Sequence, residues 1–177
     1  MFADNVSSTL TQSDMFTALR KVLLKLVDVE VLQSQQNRVS APTGNFITMT
    51  SLGLDPKSTN RTEYENQSST PGNEVMRRTL LWRVQLDCYG NEAATMCNLI
   101  ATVFRSEWAC EAFSSTGYAV SPISAGEPRQ TAFIDSEQQY GDRWSVDLTM
   151  QADVYVRVGQ YFFDSATISA VSVDTLS

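Results

Sequence analysis

The stretch Arg143–Val158 alternates apolar and polar side chains without a break. Its apolar members are Trp144, Val146, Leu148, Met150, Ala152, Val154, Val156 and Val158. A period of two predicts a β-strand, because successive side chains leave a strand on opposite faces. At a rise of about 3.3 Å per residue this strand would be about 50 Å long, whereas an ordinary strand has about 5–6 residues. A strand that outgrows a small domain usually needs a neighbour, so the pattern favours assembly over catalysis.

Other segments of the chain have strand patterns that fit the same sheet. The predicted strands are Val29–Gln33, Phe46–Ser51, Thr79–Tyr89, Tyr118–Ile123 and Thr167–Val173. We expect the last of these to pair with the long strand as a hairpin, through a turn at Gly159-Gln160. Gly141 fits two interpretations: a turn that joins a strand at Thr131–Tyr140 to the long strand, or a bulge within one longer strand.

Three segments have apolar side chains at helical spacing. Ser13 is the predicted N-cap of a helix over Asp14–Val27, and Asn91 that of a second helix, which runs to Ser106. Ser106 then caps a third helix, Glu107–Ser115, with Trp108 on its buried side. The predicted fold class is therefore α+β: a mostly antiparallel sheet with long C-terminal strands, flanked by an N-terminal helix and a central helical pair.

We expect residues 1–177 to form a single domain, because the chain is long enough for one core and short for two. Residues 1–12 are rich in Ser, Thr and Asn and are predicted to be flexible. Residues 53–76 are predicted to be a long loop, since they contain many Asp, Asn, Ser, Thr and Pro residues and few apolar anchors. Such a loop is either a mobile surface segment or a partner-binding segment.

The formal net charge of −7 makes specific nucleic-acid binding a poor prediction, because phosphate binding needs clustered Lys and Arg. No apolar run approaches the about 20 residues of a membrane span. The N-terminus has neither a basic start nor an apolar signal core, so we expect a protein made in a cytoplasm.

Catalytic chemistry has little support in this composition. There is no histidine, which removes the usual general base, the commonest metal ligand and every Ser-His or Cys-His nucleophile. The three cysteines match no zinc or redox spacing, and we interpret them as buried structural thiols. Carboxylate pairs remain, such as Asp135 with Glu137 or Asp147 with Asp153, but no cleft can be assigned to them. The sequence predicts a protein that is not an enzyme and that uses no cofactor or metal.

Several segments resemble a family of tailed-bacteriophage neck or tail-tube terminator proteins. They are Gln35–Val39 with Pro42, Val84–Gly90, Phe104–Cys110, Glu127–Gln130, Asp135–Tyr140 and Asp142–Trp144. These pieces occur in the family's order and, taken together, span roughly residues 14–175. Residues 53–75 resemble the family least.

The resemblance implies a structural virion protein of the head–tail neck, assembled in the bacterial host cytoplasm. Such proteins form a ring, expected to be hexameric, that caps the tail tube, offers a surface to the head connector and leaves a channel for DNA. The implied partners are other copies of the chain, the tail tube protein and a head–tail connector or adaptor. Double-stranded DNA would pass without specific binding, and no membrane is involved. Two alternatives stay open: another head–tail connection or tail-completion protein, and a small phage hydrolase with paired carboxylates.

Two groups of residues are candidates for this role. The polar positions Asp147, Thr149, Gln151 and Asp153 of the long strand are predicted to face the channel or the next subunit. A second group surrounds the irregular segment before that strand: Arg129, Glu137, Gln138, Tyr140 and Arg143. These residues either make contacts between subunits or hold an intramolecular turn through Arg–carboxylate pairs.

Overall fold

The long alternating stretch forms one of two 18-residue strands that run side by side through the sheet. The computed structural model describes residues 6–35, 42–65, 72–131, 133–134 and 140–160. The helices within these residues are α1 (Gln12–Leu26), α2 (Ala93–Val103) and α3 (Glu107–Ser114). The strands are β1 (Val6–Ser8), β2 (Glu30–Gln33), β3 (Phe46–Pro56), β4 (Arg61–Glu65), β5 (Gly72–Tyr89), β6 (Val120–Ala125), β7 (Arg129–Gln130), β8 (Phe133–Ile134), β9 (Tyr140–Gly141) and β10 (Arg143–Gln160).

The main sheet is ordered β1-β10-β5-β3-β2, and its centre is the β5–β10 pair. Strand β4 also pairs with β5, and strands β6 and β7 pair with β10. Only the β2–β3 pair is parallel, while the other strand pairs described are antiparallel. Strands β8 and β9 form a separate two-stranded sheet. The predicted α+β class, with a mostly antiparallel sheet flanked by helices, is confirmed.

The β5–β10 pair is continuous from Gly72 opposite Gln160 to Tyr89 opposite Arg143. Eighteen residues at about 3.3 Å each give a length of about 60 Å. Helix α1 has 15 residues and is therefore only about 22 Å long. The helices are thus too short to cover the whole sheet.

The core lies between the helices and one half of the sheet. Trp82 of β5 is fully buried there, packs edge-on against Phe16 of α1 with ring centroids 5.1 Å apart, and donates a 3.0 Å hydrogen bond from Nε1 to Ser51 Oγ. The other fully buried strand side chains of this face are Val31, Ile47, Met49, Val84, Leu86, Cys88, Val146, Leu148, Met150 and Ala152. Burial of each large apolar side chain stabilises the fold by about 1.5–3 kcal/mol.

The rest of the β5–β10 pair extends beyond the helices. We call this part the distal half: residues 72–79 of β5 and 153–160 of β10, together with β1 and β4. The unbroken apolar face of the long strand predicts burial against the helices along its whole length. That prediction is wrong for the distal half, where the three last valines of β10 are only half-buried, because the helical layer ends before it.

Two β-bulges lie in one row across the sheet, on opposite sides of the β5–β10 pair. In β3, Leu52 is the extra residue between the partners of Val84 and Arg83. In β6, Ile123 is the extra residue between the partners of Thr149 and Met150. Arg83 and Thr149 face each other in β5 and β10, so both bulges adjoin the same pair. Because bulges bend a strand and increase its local twist, we expect the edges of the sheet to bend at this row.

The prediction of a long loop at residues 53–76 is wrong, because much of this segment forms strands. Strand β3 continues to Pro56, β4 occupies Arg61–Glu65, and β5 begins at Gly72. All five residues of β4 are exposed, so this strand needs no apolar face and its sequence shows no alternation. The predicted turn at Gly159-Gln160 is also wrong, since both residues continue β10. The predicted strand Thr167–Val173 lies outside the described residues.

The helices begin and end close to the predicted positions; Ser106 is the N-cap of α3 as predicted, whereas α1 and α2 have other caps. The N-cap of α1 is Thr11 rather than Ser13, because Thr11 and Asp14 bind each other's backbone N–H groups in a capping box. These hydrogen bonds from Thr11 lower the pKa of Asp14. Helix α2 begins after Glu92 rather than Asn91, which belongs to a turn, and it ends at Val103.

Three further predictions need correction. One side of α3 faces solvent, and Trp108 and Cys110 are therefore exposed rather than buried. The other two cysteines, Cys88 and Cys97, are buried as predicted. Gly141 is neither a turn nor a bulge but part of β9, which pairs with β8. Within the N-terminal region predicted to be flexible, Val6–Ser8 pairs with the distal end of β10.

The turn between β5 and α2 gives a test of the packing. Gly90 has a φ of +96°, and a Cβ there would overlap Asn45 Oδ1 and lie 3.0 Å from Gly44 O; Gly117 has a φ of +79° and open space around it. Alanine at either position costs about 1–2 kcal/mol for the left-handed backbone, and overpacking at Gly90 adds about 1–3 kcal/mol. In urea denaturation we expect Gly90→Ala to lower the free energy of unfolding by more than Gly117→Ala. Equal losses would contradict the close approach.

Candidate functional site

The side of the sheet that points away from the helices is polar and charged. We call it the polar face, and it comprises the outward side chains of β3, β4, β5, β7 and β10. Its charged residues are Asp55, Arg61, Glu63, Glu65, Arg77, Arg83, Asp87, Arg129, Arg143, Asp147, Asp153 and Arg157. The set has six arginines, six carboxylates and no lysine. No described helix covers this face, since α1, α2 and α3 pack on the other side.

The charges of the polar face are paired with one another. Six of the seven ion pairs among the described residues lie there. They are Arg61–Glu63 at 2.8 Å, Arg77–Asp153 at 3.8 Å, Arg83–Asp55 at 2.9 Å, Arg129–Asp147 at 3.0 Å, Arg143–Asp87 at 3.0 Å and Arg157–Glu65 at 3.7 Å. Five of these pairs join residues of different strands, so the pairing depends on the register of the sheet.

The four candidates for the channel share the polar face, as their alternation predicts, but the two acids have cationic partners. Asp147 accepts two hydrogen bonds from Arg129, at 3.0 and 3.2 Å, and these raise the pKa of Arg129. Asp153 accepts from the hydroxyl of Thr79 at 2.6 Å and from Gln151 at 3.3 Å, and forms an ion pair with Arg77. The surface is therefore ion-paired and not simply acidic.

Thr149, the remaining channel candidate, faces Arg83 across the β5–β10 pair. Sequence reasoning did not identify Arg77 and Arg83 as part of the site. The alternation of the predicted strand Thr79–Tyr89 places Arg83 on the outward face. Its partner Asp55, however, lies in the segment that was predicted to be a loop. The signal that could have found the pairs is the register between β3, β5 and β10, which a single sequence does not give.

The second candidate group is only partly described. Glu137 and Gln138 lie outside the described residues, and Tyr140 is described as the backbone partner of Ile134 in the small sheet. Arg129 and Arg143 form intramolecular ion pairs, as in the second of the two alternatives. Contacts of this group with another subunit stay a prediction.

Arg143 belongs to a largely buried polar cluster at one end of the sheet. Asp87 is 4 % exposed, forms an ion pair with Arg143 at 3.0 Å, and accepts hydrogen bonds from Ser145 and Gln85. Arg143 also lies over the ring of Tyr89, and burial raises the pKa of this tyrosine. The cluster joins β5 to β10 through polar contacts on the side of the sheet opposite the apolar core.

The two flanks of the sheet expose apolar side chains at the bulges. On the β3 side Leu52 is 45 % exposed and Leu54 is 42 % exposed, and on the β6 side Ile123 is 43 % exposed. Leu52 and Ile123 are the extra residues of the two bulges, whereas Leu54 follows the β3 bulge and pairs with Trp82. Exposed apolar side chains therefore lie at both flanks of one row of the sheet.

Hydrolytic chemistry finds little support in the described residues. Asp147 and Asp153 lie six residues apart on one strand, which separates them by about 20 Å. Glycosidase carboxylates lie about 5–9.5 Å apart. The hollows beside α1, α2, α3 and the β3–β4 turn each contain at most one carboxylate.

The described residues contain neither a candidate metal site nor a candidate membrane span. No group of three or more His, Cys, Asp or Glu side chains within these residues is arranged to hold a metal ion. In the same part of the chain, no helix is long and apolar enough to cross a membrane.

The largely buried Asp87–Arg143 pair and the half-exposed Asp55–Arg83 pair should differ in their contribution to stability. Asp87→Ala leaves the largely buried Arg143 guanidinium without its carboxylate, which costs about 3–5 kcal/mol. Asp55→Ala removes the partner of Arg83 from a pair in which both side chains are about half exposed, and such pairs contribute about 0–1 kcal/mol. We expect this ranking in urea denaturation of the two variants. A similar loss in both would show that the Asp87 cluster is not effectively buried.

Comparison with solved structures shows the fold. The chain is similar to the PVC sheath/tube terminator of an extracellular contractile injection system in its extended state, with a TM-score of 0.51 and 9 % identity. The similarity covers 96 % of this chain and 66 % of that protein's length. A chain from the virion of a native gene transfer agent particle is 14 % identical over 84 % of this chain and 94 % of its own, but its TM-score of 0.26 carries no argument.

Comparison at the level of sequence shows the family. No curated protein matches the chain. The model of a family described as phage neck terminator protein matches residues 13–175. Because this match spans almost the whole chain, the protein belongs to the phage neck terminator family and is a structural, tail-terminating component of the phage neck.

Proposed function

We propose that copies of this chain form a ring, six-membered as in the terminators it resembles, that caps the finished tail tube and joins it to the head connector. The observation that carries the proposal is the sheet with two different sides. One side is covered by the helices along half its length, and the other is an ion-paired surface that no described helix covers. In a ring, this polar face borders the channel through which DNA passes.

Ring closure needs two different contact surfaces on each subunit, because a head-to-tail interface joins one patch to another. The flanks at the bulges meet this requirement. Leu52 lies on the β3 flank and Ile123 on the β6 flank, in one row, with β5 and β10 between them. Three strand spacings separate the flanks by about 14 Å. A rotation about the channel axis can therefore bring one flank of a subunit against the other flank of its neighbour.

The β6 flank favours side-chain packing over the addition of a strand. Pro122 has no N–H group to donate, and the guanidinium of Arg105 donates to the carbonyl oxygen of Ala125. Features of this kind protect an edge strand from pairing with another chain. The neighbouring subunit then contacts the exposed side chain of Ile123 rather than the backbone.

This arrangement leaves the two ends of the β5–β10 pair for other virion proteins. With the polar face towards the channel and the flanks towards neighbouring subunits, the strands run roughly along the channel. The distal half forms one end, and the Asp87 cluster lies near the other. The tail tube protein and the head connector bind at these two ends. Assembly takes place in the host cytoplasm, and the mature location is the virion.

Capping of tail tubes tests the function directly. Purified protein mixed with tail tubes of the same phage should appear as a ring at one end of each tube in negative-stain images, because the ring terminates the tube. Tubes without added protein are the control. Protein bound along the tubes, or beside an end that stays open, would instead favour a different tail-completion role.

Cysteine cross-linking tests the proposed subunit contact. In a Cys110→Ser background, Leu52→Cys combined with Ile123→Cys should give a ladder of disulfide-linked oligomers on tube ends under mild oxidation. Leu52→Cys combined with Leu99→Cys is the matched control, since Leu99 is an exposed leucine, 40 % accessible, on α2. A ladder in the control alone, or in neither variant, would contradict contact between the two flanks.

A further inference from the structure

The arginines of the polar face have the chemistry of phosphate-binding residues. A guanidinium group binds carboxylates and phosphates in the same bidentate geometry. Five of the six arginines on this face have side chains at least 42 % exposed, so their outer nitrogens can reach a passing molecule. Without its carboxylates, the face would carry six positive charges on one continuous surface. A surface that contacts six phosphates binds DNA strongly at low salt.

Stability alone is a weak explanation for these pairs. Ion pairs between half-exposed side chains contribute about 0–1 kcal/mol each. The pairs are nevertheless concentrated on the one side of the sheet that the helices leave uncovered. Arg129 shows the tightest arrangement, because both of its terminal nitrogens donate to the two oxygens of Asp147. A phosphate that approaches Arg129 must displace a carboxylate already held in the preferred geometry.

We propose that the carboxylates of the polar face act as intramolecular substitutes for phosphate: they occupy the guanidinium groups and so prevent DNA in the channel from binding to the wall. This inference rests on the proposed function, because it takes the polar face as the wall of the channel. Repulsion by an acidic surface is not the mechanism, since the face contains as many arginines as carboxylates.

The test is a DNA-binding measurement on the full chain with a short fluorescent duplex. The variant Asp55→Asn, Asp147→Asn, Asp153→Asn removes the partners of Arg83, Arg129 and Arg77 and keeps the size of each side chain. We expect it to bind the duplex where the unaltered chain does not. With three phosphate contacts, the logarithm of its affinity should fall with the logarithm of salt concentration with a slope of about −2.7. This corresponds to about a fortyfold loss between about 50 and 200 mM salt.

Two controls separate freed arginines from a general change in charge. Asp28→Asn, Glu107→Gln, Glu111→Gln removes the same number of negative charges from exposed positions outside the polar face, and we expect no DNA binding. Adding Arg77→Gln, Arg83→Gln, Arg129→Gln to the first variant should abolish the binding it gained. Equal binding by the first variant and the charge control would overturn the proposal. Tight binding of the duplex by the unaltered chain would also overturn the proposal, and so would a first variant with no higher affinity for the duplex than the unaltered chain.

Folding and ring formation are measured separately. The urea midpoint of each variant shows whether it is folded. If the triple variant does not fold, Asp147→Asn alone takes its place. The logarithm of its affinity for DNA should then fall with the logarithm of salt concentration with a slope of about −0.9. If the triple variant still caps tail tubes but gains no affinity for DNA, the inference fails while the proposed function stands. If the unaltered chain does not cap tubes, the proposed function fails whatever the DNA measurement shows.

Discussion

The pairing of β5 with β10 is the constraint on which the rest of the structure depends. It runs without interruption through eighteen residue pairs. Because side chains alternate with a period of two, a slip of one residue would move Trp82 out of the core and Arg83 into it. The same register places arginines of β5 beside acids of β3 and β10, and sets both bulges beside the Arg83–Thr149 pair. The core, the ion pairs and the flanks are therefore consequences of one alignment.

The sequence predicted the parts of the fold in which one side is buried. Residues 144–152 alternate because the helices cover one face of this half of β10, and Thr79–Tyr89 alternates for the same reason. Strand β4 could not be found in this way, since all of its residues are exposed and no apolar position repeats. Solvent on both sides of a strand removes the periodic signal, so a paired strand and a polar loop look alike in sequence.

The sequence predicted which face of the sheet carries the candidate residues, but it did not predict their arginine partners. Alternation along β10 was enough to place Asp147 and Asp153 on one face. It could not show that Arg129 and Arg77 lie beside them, because partners across strands depend on strand order and register. The acidic composition gave no sign that each carboxylate of the polar face has an arginine partner. Local ion pairing, and not net charge, determines which charged groups of a surface are available to bind a ligand.

The net charge of −7 and the neutral polar face act at different distances. Exposed acids of α3, such as Glu107 and Glu111, lie on the far side of the sheet. A helical layer is about 10 Å thick, and at physiological ionic strength charges are largely screened beyond about 8 Å. DNA passing along the polar face would therefore be influenced by the paired charges of β5 and β10 and little by the acids behind them. A wall next to DNA must have its own charges balanced locally, whatever the composition of the chain as a whole.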